Sequence, residues 1–579
     1  MINYHIAEKL EQMALMSEYA GENPFRARAY LKASEIILYF EKEISELDED
    51  FKIPGIGEGI KKIIDDFICR GSSSAYNELK RLVPKDFFFM LNISGIGIKK
   101  LRCICDALKI ETLDELAACA KRGDIRRLKG FAEAGEKNII AECIRISEEK
   151  NSKLFFVAER LFYDLKHALC ASDSASDFTA AGELARKLPV INRLRCVMSY
   201  KCATFEEALD KILMTLKIRD YELIRSGNIS YVYFKYYSTD FPVEIFAIHE
   251  SLYNRNLERI LSFSDDYLTA QIENFDMTQP IAFASCGNEF LERLYKISTE
   301  IEKYDFFDIA PEYSQVLWKK LSHERLRQIK KFDVSFIKGL FHVHSLYSDG
   351  CDSAEEIAIK IKNMGLGYVG ISDHSKSSFY ANGLDEARIS SQINEIERLN
   401  ERYPSIKIFK GLECDILKDG SLDMPDDVLK TLDFVIVSIH SNFKMKIEEM
   451  TERIIKAISN PYVTMLGHMC GRLLTKRKGY DIDAEKIFQA AQKNNVIIEL
   501  NSNPYRMDAD YSHFQTLNEL GVMISINPDA HSAGDIGACL QYGVNAVNLG
   551  GMPADKILNT FDAQQIIELF NKKKEAIRR

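Results

Sequence analysis

Two histidines separated by one residue, His342 and His344, stand in a stretch where Asp349 follows within one short loop. On an extended segment, residues two apart point to the same face, so the two imidazoles are expected side by side. Paired imidazoles are a common way to grip one transition-metal ion. A His-x-His pair alone is equally typical of two surface histidines on an edge strand, so the interpretation depends on further ligands.

Further candidate ligands follow short apolar runs in the C-terminal part of the chain. They are His374, Glu413, His440, His468, Asp529 and His531. Together with His342, His344 and Asp349, they make six of the chain's 11 histidines and three carboxylates at this kind of position, which is hard to attribute to chance. The pattern predicts a polynuclear metal site, and a mixed imidazole and carboxylate set suits Mn²⁺, Zn²⁺ or Fe²⁺.

The elements that position these groups are read from the spacing of the apolar runs. After the His-x-His stretch, runs at 367–372, 406–412, 434–439, 462–467, 496–500 and 522–526 alternate with helical patterns. Nearly continuous apolar strands separated by helices indicate a parallel sheet covered on both faces. Seven such units predict a closed α/β barrel with its site at the carboxyl ends of the strands.

These motifs resemble the PHP (polymerase and histidinol phosphatase) family, in particular the C-terminal PHP domain of bacterial family X DNA polymerases. Gly-Leu-Glu-Cys-Asp-Ile-Leu at 411–417 and Asn-Pro-Tyr-Arg at 503–506 share that resemblance. It implies a distorted (β/α)₇ barrel and nine ligands for three divalent metal ions. The implied ligands are His342, His344, Asp349, His374, Glu413, His440, His468, Asp529 and His531.

Three further groups are predicted to assist at this site. Clustered divalent ions lower the pKa of a bound water and brace phosphate oxygens during in-line attack. Glu413 is predicted to bridge two of the ions, and so to be catalytic together with that water. Arg472 and Arg506 are predicted to hold a neighbouring phosphate in a bidentate manner, with a salt bridge at the barrel rim as the alternative for each.

A different motif recurs near the N-terminus. Ile-Pro-Gly-Ile-Gly at 53–57 returns as Ile-Ser-Gly-Ile-Gly at 93–97, with a degenerate third copy, Lys-Gly-Phe-Ala, at 129–132. Gly-apolar-Gly between two helices leaves the N–H groups of the next helix facing outward, which makes a phosphate site that reads no sequence. A single copy would be typical of an ordinary helix-joining turn, but repetition favours binding of the DNA backbone. The residues predicted to bind DNA are Gly55, Gly57, Gly95, Gly97, Lys99 and Lys100.

The stretch 22–30, Glu-Asn-Pro-Phe-Arg-Ala-Arg-Ala-Tyr, followed by the first hairpin, resembles the N-terminal helix-hairpin-helix region of family X DNA polymerases. Eukaryotic members of that family carry a Schiff-base lysine on the helix after the first hairpin. Ile63 stands at that position here, so lyase activity is not expected, although Lys61 and Lys62 are near.

The resemblance further implies a nucleotidyltransferase palm after residue 150, with Gly-Ser, an Asp-x-Asp pair and a third Asp. The matching positions hold Gly182-Glu183 for the first motif, Arg193 and Arg195 for the pair, and Glu244 for the third carboxylate. Guanidinium groups cannot ligate Mg²⁺ and repel it. We therefore expect a palm without polymerase chemistry, in which the two arginines either bind a phosphate or have no ligand. The family's Thr-Gly-Ser segment is degraded to Ser-Cys-Gly at 285–287.

The fold prediction is a multidomain protein: α-helical helix-hairpin-helix domains, an α+β nucleotidyltransferase-like palm and thumb, and a C-terminal α/β barrel. The predicted divisions are an N-terminal helix-hairpin-helix domain (1–80), a fingers-like one (81–150), a degenerate palm (151–250), a thumb-like domain (251–318), a linker (319–337) and the PHP domain (338–575).

Composition limits the class of protein. A chain of 579 residues suggests roughly three to five domains. The formal charge of −10 argues against a general nucleic-acid-binding surface. No apolar run reaches the roughly 18 to 20 residues that cross a membrane, and the first residues lack a signal-peptide layout. The 13 cysteines have no disulfide framework spacing. We expect a cytoplasmic monomer.

The predicted function is a metal-dependent phosphodiesterase or phosphatase that acts on DNA ends. The resemblance implies 3′–5′ exonuclease, abasic-site cleaving or 3′-end trimming activity on gapped, nicked or 3′-recessed duplex DNA, in DNA repair. The alternatives are an active gap-filling DNA polymerase, a non-catalytic DNA-binding scaffold and a small-molecule phosphatase.

Overall fold

The structure, a computed structural model, describes residues 2–38, 44, 53, 55–93, 95–149, 152–226, 228–236, 241–253, 255–263, 309–314 and 316–578. The chain divides into two compact units, Met1–Lys150 and Asn151–Arg579. The finer domain boundaries stay predictions. No helix among the described residues is long and apolar enough to cross a membrane.

The first unit is helical. Its described helices are α1 (Ile2–Ala20), α2 (Pro24–Leu38), α3 (Glu58–Arg70), α4 (Ser74–Lys80), α5 (Phe87–Leu91), α6 (Ile98–Leu108), α7 (Leu113–Lys121) and α8 (Glu133–Glu149). Pro24 is the first residue of α2, where its missing N–H costs no hydrogen bond. Thr112 and Glu115 form a capping box at α7. The helices share one core, in which Leu10, Leu101 and Leu116 are fully buried.

The second unit begins with a mixed sheet. Its strands are β1 (Lys153–Leu154), β2 (Asp177–Ala181), β3 (Val190–Ile191), β4 (Leu194–Tyr200), β5 (Tyr221–Ser226), β6 (Ile229–Tyr236) and β7 (Phe241–His249). Its helices are α9 (Phe155–Ala171), α10 (Gly182–Arg186), α11 (Phe205–Leu216) and α12 (Arg255–Ser262). The five-stranded sheet has the order β2-β4-β7-β6-β5, with β4 and β7 parallel and the other neighbours antiparallel. This is the α+β layer at the place predicted for the palm.

Most of the segment predicted as a thumb, and the whole of the stretch 285–287, lie outside the described residues. The stretch predicted as a linker, 319–337, includes helix α13 (His323–Gln328) and ends against the following domain. Phe332 is buried there, and its N–H donates to Asn548 Oδ1 at 2.8 Å. This segment is therefore packed chain rather than a free tether.

The C-terminal domain is built from parallel strands. They are β8 (Gly339–Val343), β9 (Tyr368–Ile371), β10 (Lys407–Lys410), β11 (Glu413–Asp415), β12 (Ile436–Ser438), β13 (Met465–Leu466), β14 (Ile497–Asn501) and β15 (Ile524–Asn527). The apolar run 406–412 predicted one strand ending at Glu413. It forms β10, which pairs with β9, and leads into β11, which pairs with β12. Because β10 and β11 follow each other almost directly, they occupy one position in the ring, which therefore has seven positions. Bridges from His374 to Glu413 and from Val343 to Ala530 join the two parallel ladders into a closed ring. The predicted (β/α)₇ arrangement is confirmed.

Helices cover the outside of this barrel. They are α14 (Ala354–Asn363), α15 (Glu386–Arg402), α16 (Asp426–Leu429), α17 (Ile447–Ile458), α18 (Ala484–Asn494), α19 (Phe514–Glu519), α20 (Ala533–Gly550) and α21 (Ala563–Arg578). Aromatic side chains fill the barrel toward the amino ends of the strands, with the rings of Phe341 and Phe434 4.9 Å apart and Phe570 of α21 beside them. A Cβ at Gly370 would overlap both rings, so this position has room only for glycine. The polar groups are left at the carboxyl ends.

Candidate metal centre

All nine predicted ligands converge at the carboxyl ends of the barrel strands. Potential ligand atoms lie within 4.8 Å of one another in four overlapping groups. The groups are His344, Asp349, His374 and His531; His342, Glu413 and His468; His342, His344 and Asp529; and His374, Glu413 and His440. Each of the nine residues belongs to at least one group, and shared members connect the groups into a single cluster.

Glu413 lies at the middle of this cluster. Its Oε1 is 3.3 Å from His342 Nε2 and 3.1 Å from His468 Nε2. Its Oε2 is 2.9 Å from His374 Nδ1. Burial acts against ionisation of Glu413, but the surrounding imidazoles of His342, His374 and His440 hold the pKa of its carboxyl well below the usual range. One carboxylate oxygen of Glu413 thus faces His342 and His468, and the other faces His374.

The shared orientation of His342 and His344 has a different cause from the strand alternation that predicted it. The pairing of β8 with β9 shifts register between Leu340 and Val343, and His342 has a φ of 58°. Their rings still lie only 5.2 Å apart between centroids. Asp529 also has a positive φ, 50°. Such backbone conformations are costly for non-glycine residues and cluster at functional sites.

The chemistry of the donor set fits divalent transition metals. The short distances around Glu413 are not all hydrogen bonds: Glu413 Oε2 and His342 Nε2 make none with the described residues, and neither do the buried His344 Nδ1 and His468 Nδ1. Leaving buried polar atoms unsatisfied costs free energy, which a cation would recover. Burial, together with the neighbouring His531 and His374, lowers the pKa of His344 to about 4. That imidazole is therefore neutral at pH 7, the form that ligates a metal.

Two carboxylates that the sequence interpretation missed orient the candidate ligands from behind. Glu499 Oε2 accepts a hydrogen bond from His342 Nδ1 at 2.5 Å, and Asp415 Oδ1 accepts from His440 Nδ1 at 2.7 Å. Carboxylates in this position fix the tautomer of a ligating histidine. The available signals were an acidic residue inside the apolar run of β14 and an acidic residue two positions after Glu413.

The loop that carries Asp349 is organised around Asp373, which is also fully buried. Asp373 Oδ1 accepts from the backbone N–H of Ser345 at 2.8 Å and from that of Ser348 at 3.1 Å. Both serine hydroxyls and the Gln392 amide donate to the same carboxylate. This network shapes the loop between β8 and α14, so that Asp349 reaches the cluster.

The two arginines predicted to bind phosphate have different surroundings. Arg472 donates from Nε to the carbonyl of Arg506 at 3.0 Å, from one terminal nitrogen to Asp510 Oδ2 at 2.6 Å and from the other to the carbonyl of Met507. Its guanidinium holds a loop. Arg506 lies beside the cluster, with Nε 3.3 Å from Asp529 Oδ2, and is 24% exposed. Both arginines therefore form a salt bridge, which was the alternative to phosphate contact, and Arg506 is the one that pairs with a predicted ligand.

In the palm, the residues at the positions of the polymerase carboxylates form ion pairs with one another. Glu244 Oε1 accepts from Arg193 at 2.9 Å, and Glu244 Oε2 accepts from Arg195 Nε at 2.9 Å. Arg195 and Glu244 face each other directly in the register of β4 and β7. Glu183 turns back to accept from the backbone N–H of Arg193 and from the Asn192 amide. The one remaining carboxylate is thus occupied by guanidinium groups.

The two complete hairpins differ in charge at the start of the following helix. Gly57 caps α3 and Gly97 caps α6, neither with a side-chain cap, and Gly55 and Gly95 have φ values of 81° and 88°. All four glycines are exposed. The first turn of α3 contains Glu58, whereas that of α6 contains the exposed Lys99 and Lys100 and no acidic residue. Anions are favoured at the second hairpin.

The helix that follows the first hairpin carries no lysine at the position of the family's Schiff-base residue. Ile63 packs against the helical core. Lys61 of the same helix lies 3.1 Å from Asp65, and Lys62 is exposed. Of these two lysines, whose face the sequence left open, Lys61 is therefore half-buried and paired, and Lys62 is exposed.

Comparison with known proteins agrees with this architecture. Family models match a helix-hairpin-helix domain at residues 1–73, a SAM-like helix-hairpin-helix tandem at 87–143 and a PHP domain at 341–503. A probable phosphatase of Thermoanaerobacter sp. is 30% identical over 247 residues, which are 41% of this chain and 95% of that protein. The C-terminal domain is a PHP domain and belongs to the class of metal-dependent phosphoesterases.

The similarity extends beyond that domain. The DNA polymerase/3′-5′ exonuclease PolX of Bacillus subtilis is 28% identical over 575 residues, which are 98% of this chain and 99% of that protein. Along nearly its whole length the chain is therefore similar to a bacterial family X DNA polymerase, with helix-hairpin-helix domains in its N-terminal part and a PHP domain in its C-terminal part. The crystal structure of histidinol phosphate phosphatase from Lactococcus lactis, complexed with zinc, L-histidinol and phosphate, aligns with 37% of this chain and 94% of that chain at 18% identity, with a TM-score of 0.30.

Proposed function

We propose that this chain processes DNA ends as a metal-dependent phosphodiesterase or phosphatase, by 3′–5′ exonuclease, abasic-site cleaving or 3′-end trimming activity in DNA repair. The observation that carries the proposal is the convergence of nine histidine and carboxylate side chains at one end of a PHP barrel. Helix-hairpin-helix domains in the same chain support DNA as the substrate. Three divalent cations, Mn²⁺, Zn²⁺ or Fe²⁺, are the proposed occupants of the cluster.

The residues of the chain have separable parts in this reaction. When bound, clustered divalent cations supply an activated water and positive charge for the phosphate oxygens. Glu413, which belongs to two of the ligand groups, would help to hold more than one of these cations. Glu499 and Asp415 accept from the Nδ1 atoms of two histidines, which directs each Nε2 into the cluster. Arg506, beside Asp529, contacts the phosphate of the substrate.

We infer that the palm no longer polymerises DNA. Two-metal catalysis of nucleotide addition needs carboxylates that are available to cations. Arginines stand at two of the three positions, and both pair with Glu244 at the third. The palm then serves as part of the framework of the protein and the hairpins hold gapped, nicked or 3′-recessed duplex DNA by its backbone.

One assay tests the nuclease proposal. The protein is incubated with a labelled 3′-recessed primer–template and Mn²⁺, alongside His344→Ala and, as a matched control, His167→Ala on the exposed face of α9. We expect shortening of the primer by the wild type and by His167→Ala, and none by His344→Ala. DNA binding without shortening under any divalent metal would indicate a scaffold instead.

Two added conditions address the remaining alternatives. Addition of dNTPs should give no primer extension. Extension by the wild type that disappears in Glu244→Gln, while this variant still shortens the primer and is therefore folded, would show an active polymerase and overturn the inference for the palm. A small phosphomonoester, p-nitrophenyl phosphate, is offered in parallel. Hydrolysis of that compound with no action on any DNA end would favour a small-molecule phosphatase.

A further inference from the structure

The segment 503–510, which follows β14, carries Arg506 to the edge of the metal centre. Arg472 fixes the segment from one side, through hydrogen bonds to the carbonyls of Arg506 and Met507 and to the Asp510 carboxylate. The carbonyl of Tyr505 accepts from the N–H of Leu474 at 2.7 Å. These contacts all come from the PHP domain itself.

On its other side the segment meets the palm. The ring of Tyr505, the neighbour of Arg506, stands edge-on to the ring of Phe156 in α9, with centroids 5.5 Å apart and an interplanar angle of 79°. Phe156 also contacts Tyr542 of α20, at 6.5 Å, and Phe155 contacts Tyr542 at 6.2 Å. Aromatic pairs in this geometry contribute beyond the area they bury.

The helix that follows the last ligands is packed against the palm as well. Ser532 caps α20 immediately after His531, and Leu549 near the end of the same helix is buried in the hydrophobic core of the palm. Tyr511 and Tyr542 pack against that core. The start of α9 therefore touches the segments that follow two neighbouring strands of the ring, β14 and β15.

We propose that Phe156 of the palm is a positioning residue for the phosphoesterase site, which it serves by holding Tyr505 and thereby the guanidinium of Arg506 beside Asp529. The proposal rests on the function proposed for the PHP domain, and it gives the palm a part in that function without nucleotidyl transfer. Its chemical basis is that a displacement of a substrate-contacting group by about 1 Å is enough to cost up to roughly 100-fold in rate.

The test is a double-mutant cycle in the full-length protein with Phe156→Ala and Arg506→Gln. Phe156→Ala should lower kcat/KM for 3′ shortening about 10-fold or more, and Phe156→Tyr, which keeps the ring, should restore it. In the Arg506→Gln background, Phe156→Ala should add little further loss, because coupled residues are not additive. Tyr163→Ala, an exposed ring on the same helix, is the control and should match the wild type.

Hydrogen exchange of the metal-free protein supplies a second measurement that does not depend on activity. Peptides covering 502–510 should exchange faster in Phe156→Ala than in the wild type or Tyr163→Ala. Unchanged exchange, or a loss of activity that is fully additive with Arg506→Gln, would overturn the proposal. If the wild type cleaves no DNA, the proposed function fails, while the exchange measurement still decides whether Phe156 holds the segment.

Discussion

Glu499 and His342 face each other inside the barrel, with Glu499 Oε2 2.5 Å from His342 Nδ1 and both side chains fully buried. Glu499 also accepts from the backbone N–H of His468 at 3.1 Å and from the Asn527 amide at 2.9 Å. One carboxylate therefore orients two candidate ligands without being among the predicted nine.

Glu499→Gln keeps the shape of this side chain and removes its charge, so His342 becomes a weaker ligand in a less fixed orientation. We expect metal affinity to fall roughly 10- to 100-fold. Competition with a chelator measures the affinity directly. Glu519→Gln, on an exposed residue of α19, is the control, and equal affinities in the two variants would contradict the assignment.

The convergence of the nine candidate ligands could be predicted because parallel strands in a barrel end at one edge, so a polar residue at each strand end must approach the others. The partner of Glu499 could not be predicted. Glu499 and His342 belong to β14 and β8, which are separated by β15 in the ring, and the sequence does not specify which inward-facing side chains meet across it.

The local backbone conformation at His342 and the hydrogen-bond acceptors of Arg472 could not be predicted from the sequence either. The His-x-His spacing predicted a regular strand, but the pairing of β8 with β9 shifts register between Leu340 and Val343 and His342 has a positive φ, which the spacing does not reveal. For Arg472 the sequence left two alternatives, contact with a phosphate and a salt bridge at the barrel rim. Its acceptors are the Asp510 carboxylate and two carbonyls 34 and 35 residues away along the chain, which no local pattern reveals.

The pair of arginines in the palm leads to a prediction about stability. Arg195 and Glu244 are each 3% exposed, so Glu244→Gln would leave a buried guanidinium without its counter-charge. Removing one partner of a buried ion pair costs roughly 3 to 5 kcal/mol. Urea unfolding followed by circular dichroism measures the loss. The control is Glu222→Gln on the exposed side of β5, and a loss below about 1 kcal/mol for Glu244→Gln would show that the pair is dispensable.

The ion pair between Arg472 and Asp510 predicts a pH dependence. Burial opposes ionisation of Asp510, but the charge of Arg472 and hydrogen bonds from Ser512 outweigh it and lower the pKa of the carboxyl below its ordinary value of 3.8. Since the unfolded chain binds this proton more tightly, the pair stabilises the fold above about pH 4, and the contribution is lost as the pH falls through the folded pKa.

Asp510→Asn should therefore lower the free energy of unfolding by about 2 kcal/mol at pH 7, and the difference from the wild type should shrink toward pH 2. Unfolding is measured in excess chelator, so that release of metal at low pH does not contribute. Asp555→Asn, at an exposed position, should show no such trend. A difference that stays constant with pH would mean that the charge of Asp510 is not responsible.

At the second hairpin, the lysines of α6 are expected to add to the DNA affinity of the glycine turn. Lys99 and Lys100 bring positive charge to a helix start whose N–H groups already favour anions. If each contacts one phosphate, the double variant Lys99→Gln/Lys100→Gln should reduce the slope of log K against log salt by about 1.8. Binding is measured by fluorescence anisotropy with labelled duplex across a salt series. Lys109→Gln, at the exposed C-terminal cap of α6, removes one charge far from the hairpin and should leave the slope nearly unchanged. If Lys109→Gln reduced the slope by as much per charge as the double variant does, net charge, and not the hairpin, would govern the affinity.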